Sequence, residues 1–150
     1  GKVAESVKAL EKSIEVDPYF DAAYINLSDT YRQIGESKKE QTTLNNGLTT
    51  NPKSAALHYA NGMFLIRSGD KVASVNSFAN AIKFDGANSQ YAYLYFLAMD
   101  STGQTKKALM ELKRVLRRYD NNPQLVQLGL SFSQKLQDRN SYNFFQSKMN

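Results

Sequence analysis

The sequence predicts an all-α chain, a solenoid of about nine helices arranged as paired hairpins, and three observations predict it. Gly1, Gly35, Gly69 and Gly103 are each 34 residues apart. The turn-forming pairs Asp17-Pro18, Asn51-Pro52 and Asp85-Gly86 keep the same spacing. So do two columns on the helices: Leu10, Leu44, Phe78 and Leu112, then Ser13, Gly47, Ala81 and Val115. A period of this size holds one two-helix unit, which can bury its apolar face only against a neighbouring copy.

Each element follows from these markers. A first helix over 2–16 stops at Asp17-Pro18, because a residue before proline avoids the helical region. The next, 21–34, runs into Gly35, which suits the left-handed residue that closes a helix. The third, 37–50, ends at Asn51-Pro52 and is poorly apolar, with mainly Leu44 and Leu48 to bury. Helices over 55–68 and 71–84 are divided by Gly69 and closed by Asp85-Gly86. A sixth, 88–102, ends at Gly103, and a seventh covers 105–118. The last two, 122–136 and 139–149, keep the pattern only after one residue is deleted near Asp120-Asn121-Asn122. Strand alternation is nowhere sustained.

Composition sets bounds. The chain has 150 residues, which suggests one domain over 1–150. Apolar residues at 41% and charged residues at 22% give a globular balance and argue against bulk disorder. Cysteine is absent, so disulfides, thiolate metal sites and cysteine nucleophiles are excluded within this segment. No stretch approaches the ~18 apolar residues that span a bilayer. Gly1-Lys2-Val3-Ala4-Glu5 is not a signal peptide and starts inside a helical pattern, as expected of a fragment of a longer protein.

Catalytic and cofactor chemistry finds no foothold. His58 is the only histidine. It occupies the slot held by Tyr24 one repeat earlier and has no Asp or Cys partner at useful spacing, so it reads as a packed residue. The glycines mark hairpin turns, and no phosphate-binding glycine string or metal-ligand spacing is present. The expectation is a non-enzyme without cofactor.

The residues within the period resemble the tetratricopeptide repeat (TPR). Tyr24, Leu27, Ser28 and Tyr31 match the aromatic, large, small and aromatic positions of that family's first helix. Ser74, Phe78 and Ala81 match its second helix, as do Ala108, Leu112 and Val115. Leu125, Leu128, Gly129, Phe132, Ser141 and Phe145 match in the last repeat. The resemblance implies a partial repeat over 1–20, full repeats over 21–54, 55–88 and 89–121, and a last one over 122–150. It also implies a right-handed superhelix with a concave inner wall. Three residues depart from the pattern. Glu40 fills a slot for a small apolar residue, which makes its hairpin the loosest. Phe96 fills a slot for Gly, Ser or Ala and should push its two helices apart. Asn61 replaces a large apolar residue.

In that family the first helix of each hairpin lines the groove. The carried-over positions name Ile25, Asp29 and Arg32, then Tyr59, Met63 and Arg67, then Tyr93 and Leu97, and finally Val126 and Leu130. Some TPR proteins grip a chaperone's C-terminal carboxylate with Lys and Asn in these slots. Here they hold Ile25, Asp29, Tyr59, Met63, Tyr93 and Leu97, which favours an apolar or mixed peptide. The implied function is a protein-interaction scaffold, or a docking domain for another part of its own parent chain. Tyr91-Ala92-Tyr93-Leu94-Tyr95, continuing through Asp100-Ser101-Thr102-Gly103-Gln104 to Lys107-Ala108-Leu109, is similar to the TPR segment that follows the haem-binding part of bacterial multihaem c-type cytochromes. That likeness implies a periplasmic location; without it the expected location is cytoplasmic.

Charge adds a third reading. The net charge is +5, and between Ser101 and Asp120 stand six bases, Lys106, Lys107, Lys113, Arg114, Arg117 and Arg118, against two acids. By helical spacing Lys106, Lys113 and Arg117 share one strip, and Lys107, Arg114 and Arg118 the next. This is either a solvated outer face or a site for an anionic partner. Nucleic acid is disfavoured because no aromatic residues interleave for base stacking. The last helix carries Tyr142, Phe144, Phe145 and Met149 with no polar capping helix after it, so self-association through an end is expected.

Overall fold

The computed structural model describes residues 1–149. Among them stand nine α-helices and no strand: α1 (Lys2–Val16), α2 (Asp21–Gln33), α3 (Ser37–Thr50), α4 (Ala55–Ser68), α5 (Lys71–Phe84), α6 (Ser89–Ser101), α7 (Thr105–Val115), α8 (Pro123–Lys135) and α9 (Arg139–Gln146). Consecutive helices form antiparallel pairs stacked in chain order. First helices of successive hairpins also lie side by side, α2 with α4 and α6 with α8, while no two second helices approach as closely. The first helices therefore follow the inner track of the curve.

The glycine markers do what their spacing implies. Gly35, Gly69 and Gly103 have φ of 76°, 88° and 80°, and each ends a first helix. The amide after each glycine reaches back across the turn: Glu36 to the Tyr31 carbonyl, Asp70 to Leu65 and Gln104 to Met99, all at 2.9 Å. Gln137 completes the series without being glycine, with φ of 55° and the same bond, from Asp138 N to Ser133 O at 2.9 Å. Side chains cap the starts of α4, α5, α6, α8 and α9 through Ser54, Asp70, Asn88, Asn122 and Asp138.

Within each hairpin the two helices interlock by size. Phe78 on α5 lies flat over Gly62 on α4, where an added Cβ would come within 2.7 Å of the ring. Phe145 on α9 covers Gly129 on α8 in the same way, at 2.3 Å. Between α6 and α7 the sizes are exchanged, with Phe96 facing the smaller Leu112, and both are buried. The α6 and α7 backbones run close over a shorter stretch than those of α4 and α5, α7 having 11 residues against 14 in α5. One residue to the side, polar bridges replace apolar contact. Asn61 Nδ2 donates to Ser77 Oγ at 2.9 Å, and Tyr95 OH to Glu111 Oε2 at 3.1 Å. Burial, then the charge of Glu111 and its hydrogen bond, push the Tyr95 phenol up to about 12.

Two helices are shorter than the periodicity implies. The seventh stops at Val115 and tightens into a 3-10 turn, Leu116–Tyr119. The missing residue has to be absorbed there, because Leu116 and Tyr119 must still reach the core. Asp120 and Asn121 then take left-handed φ of 50° and 52° to restart the array. The ninth stops at Gln146, because Lys148 N and Met149 N bond three residues back rather than four.

Candidate functional site

The inner side of α2 and α4 forms a cavity of about 330 Å³. All six groove positions expected from the first two full repeats converge on it: Ile25, Asp29, Arg32, Tyr59, Met63 and Arg67. Their spacing explains why. Residues three and four apart share a helix face, and α2 and α4 lie side by side. Tyr59 is half-buried. Its ring packs on Tyr91 at 4.9 Å and on Phe78 at 6.1 Å between centroids, which leaves one edge for the cavity.

Charges on the wall are held in place. Arg32 donates to Asp29 at 3.2 Å along the exposed face of α2. Arg67 pairs with Glu40. Glu40 is only 4% exposed, so its carboxylate depends on this partner, while Arg67 keeps a face toward the cavity. Glu40 comes from α3, a second helix, and family positions alone do not place it here. The available signal was a charge in a slot meant for a small apolar residue, with an arginine on the next first helix.

The other four groove positions divide. Tyr93 is half-buried and Leu97 is 39% exposed, so both present surface on α6. Val126 and Leu130 do not: they are 2% and 5% exposed and belong to the core, packed with Ala92, Phe96 and Tyr93. This corrects the expectation that they line a groove. The approach of α8 to α6 is no closer than that of α4 to α2, so their burial follows from the core cluster they share with α6 residues such as Ala92 and Phe96. Lys135 links α8 to α6 through an ion pair to Asp100 at 2.6 Å, and Thr105 donates to the same carboxylate. Burial pushes the Asp100 carboxyl up, but the bonds from Lys135 and Thr105 outweigh it and hold the group below its ordinary range.

His58 is structural. Its Nε2 donates to the Pro52 carbonyl at 2.9 Å and its ring stacks on Phe84. Tyr24, one repeat earlier, donates from its hydroxyl to the Pro18 carbonyl at 3.2 Å.

The bases at 106–118 are split by the end of α7. Lys113 turns toward α9, with its ammonium 5.0 Å from the Phe144 ring centre and 3.4 Å from Ser141 Oγ. Lys106, Lys107, Arg114, Arg117 and Arg118 are exposed, and none of the six forms an ion pair among the described residues. Lys106 and Lys107 stand in the first turn of α7, against its dipole, a placement that costs about 0.3–1 kcal/mol per charge. No described helix is long and apolar enough to cross a membrane. Among the described residues no group of three or more His, Asp or Glu could hold a metal ion.

No family profile matches this sequence, and no curated protein matches it. Solved structures do. MamA is similar at 19% identity, covering 95% of this chain and 85% of its own, with a TM-score of 0.74. YrrB, described as a TPR protein with an unusual peptide-binding site, is similar at 13% identity over 98% of this chain and 76% of its own, TM-score 0.73. PilF of Pseudomonas aeruginosa is similar at 17% identity over 100% of this chain and 70% of its own, TM-score 0.74. With helices in step with the glycine markers and neighbours of this kind along its whole length, the chain has the tetratricopeptide-repeat fold, an α-solenoid of helical hairpins.

Proposed function

We propose that this chain is a non-catalytic scaffold that holds a segment of another polypeptide in the groove between α2 and α4. The convergence of Ile25, Asp29, Arg32, Tyr59, Met63 and Arg67 on one cavity carries the reading. Apolar Ile25, Met63 and the Tyr59 edge offer burial worth roughly 1.5–3 kcal/mol per side chain filled. The paired charges around them offer hydrogen bonds without a net field, which suits a mixed peptide better than a charged one. Tyr93 and Leu97, partly exposed on α6, are the next side chains a longer guest would meet on this reading.

Selection of displayed random peptides against the intact chain tests this. Peptides so obtained are expected to lose about tenfold or more in affinity to Met63→Glu, a change of ~1.4 kcal/mol or more, with helicity by circular dichroism unchanged. Equal binding to wild type and to Met63→Glu would remove the groove as the site.

A further inference from the structure

A second surface lies on α7 and shares no residue with that groove. A shallow cavity of about 600 Å³ opens on the outer face of α7, lined by Gly103, Gln104, Lys106, Lys107, Met110, Glu111 and Arg114. Met110, one of the lining residues, is 65% exposed. Glu111, the only acid of α7, also lines this cavity, where it accepts from the Tyr95 hydroxyl and forms no ion pair among the described residues; Lys106, Lys107 and Arg114 outnumber it, so the lining carries a net positive charge. The helix begins at Gln104 with no capping side chain, which leaves first-turn amides without a side-chain acceptor. The Gln104 amide nitrogen is turned back to Thr102 Oγ1 at 2.8 Å.

We propose that this face binds an acidic segment of a partner polypeptide that carries an apolar side chain between its carboxylates. The first-turn amides of α7 and the Lys106 and Lys107 ammonium groups converge on one carboxylate, as helix starts accept anions. Lys107 and Arg114 are seven residues apart, about two turns or ~10.5 Å along the axis. Arg114 therefore takes a second carboxylate, with the fork geometry that guanidinium offers. Met110 lies between them and meets the apolar side chain, adapting its shape to it. A duplex would require cations along a longer track, and here Lys113 is turned away onto Phe144. A lipid surface would require more than one exposed apolar side chain at the centre of the patch.

The test is fluorescence anisotropy with the intact chain and a labelled, end-capped peptide of glutamates flanking single leucines. Binding is expected at low salt, weakening about tenfold as salt rises from about 50 to about 300 mM. Lys107→Glu/Arg114→Glu should abolish it with helicity retained. Met110→Ser should weaken it severalfold while leaving its salt dependence unchanged. Met63→Glu, on the groove, should bind the peptide as wild type does, which separates this surface from the function proposed above. Undiminished binding by the double charge reversal would overturn the inference. So would stronger binding to vesicles of phosphatidylserine and phosphatidylcholine, or to a 20-base-pair duplex, than to the peptide.

Discussion

Gln137 adopts φ of 55° where three other hairpins carry glycine. A side chain in that region costs about 1–2 kcal/mol relative to glycine. Gln137→Gly should therefore raise stability by about 1 kcal/mol and shift the thermal midpoint upward by a few degrees, as read by circular dichroism melts. Gly129→Ala should do the reverse. Its new methyl would meet a Phe145 ring that is fully buried and has nowhere to retreat, a conflict worth about 1–3 kcal/mol. Asp100 gives a pH signature. Its folded carboxyl titrates below the ordinary value of 3.8, so the Lys135 and Thr105 bonds stabilise fully above that pH and are lost as pH falls through the lowered value. Asp100→Asn should remove this contribution at neutral pH and flatten the loss of melting temperature below about pH 3.8, measured by melts across acid pH.

At the scale of elements, α3 is sparsely apolar, yet it runs close to α2 over a longer stretch than α7 does to α6, so its hairpin is not the loosest, contrary to the expectation from sequence. Helix α3 buries Leu44 and little other large apolar surface, and it spends a buried position on Glu40. The Glu40–Arg67 pair ties α3 to α4, so removing only the arginine leaves a carboxylate nearly out of water with no partner. Arg67→Ala is expected to cost about 1–3 kcal/mol, reduced from a fully buried pair because Arg67 is itself partly exposed. Glu40→Ala/Arg67→Ala should recover most of that loss, and a double-mutant cycle by urea unfolding measures the coupling. Much of this was legible in sequence. The charge at position 40 stood out against the repeat, and α1, α3, α4 and α5 begin and end where the periodicity puts them. What periodicity does not single out is the pairing itself, because Arg67 is 27 residues away on a different hairpin and its slot also points to the groove wall. Val126 and Leu130 escape the periodic reading for a related reason. Their slots face inward in the period, but whether they are covered depends on side chains one repeat away, such as Ala92 and Phe96 on α6. The end of α7 shows a third limit: a one-residue deletion is visible as a slip, but whether a helix, a turn or a loop absorbs it is decided by which side chains must still reach the core.

Across the whole molecule most of the buried apolar residues fall into two clusters of unequal size, with Phe78 and Leu27 among those outside both. One, around Tyr24, Leu44, Leu57 and Phe64, serves the first hairpins. The other runs from Ala92 to Phe145 and holds Phe96, Met99, Leu112, Leu125 and Phe132 among others. In an array stabilised by neighbour contacts, such imbalance separates local opening energies. Amide hydrogen exchange should show α3 exchanging well before α6 and α8, and equal protection along the chain would contradict the unequal cores. The burial of Val126 and Leu130 has a consequence for the guest. The inward slots of α2 and α4 reach a cavity, whereas those two slots of α8 are taken up by the core. Extending a bound peptide toward α8 should therefore gain little affinity from that pair, which titration with peptides lengthened at either end would measure.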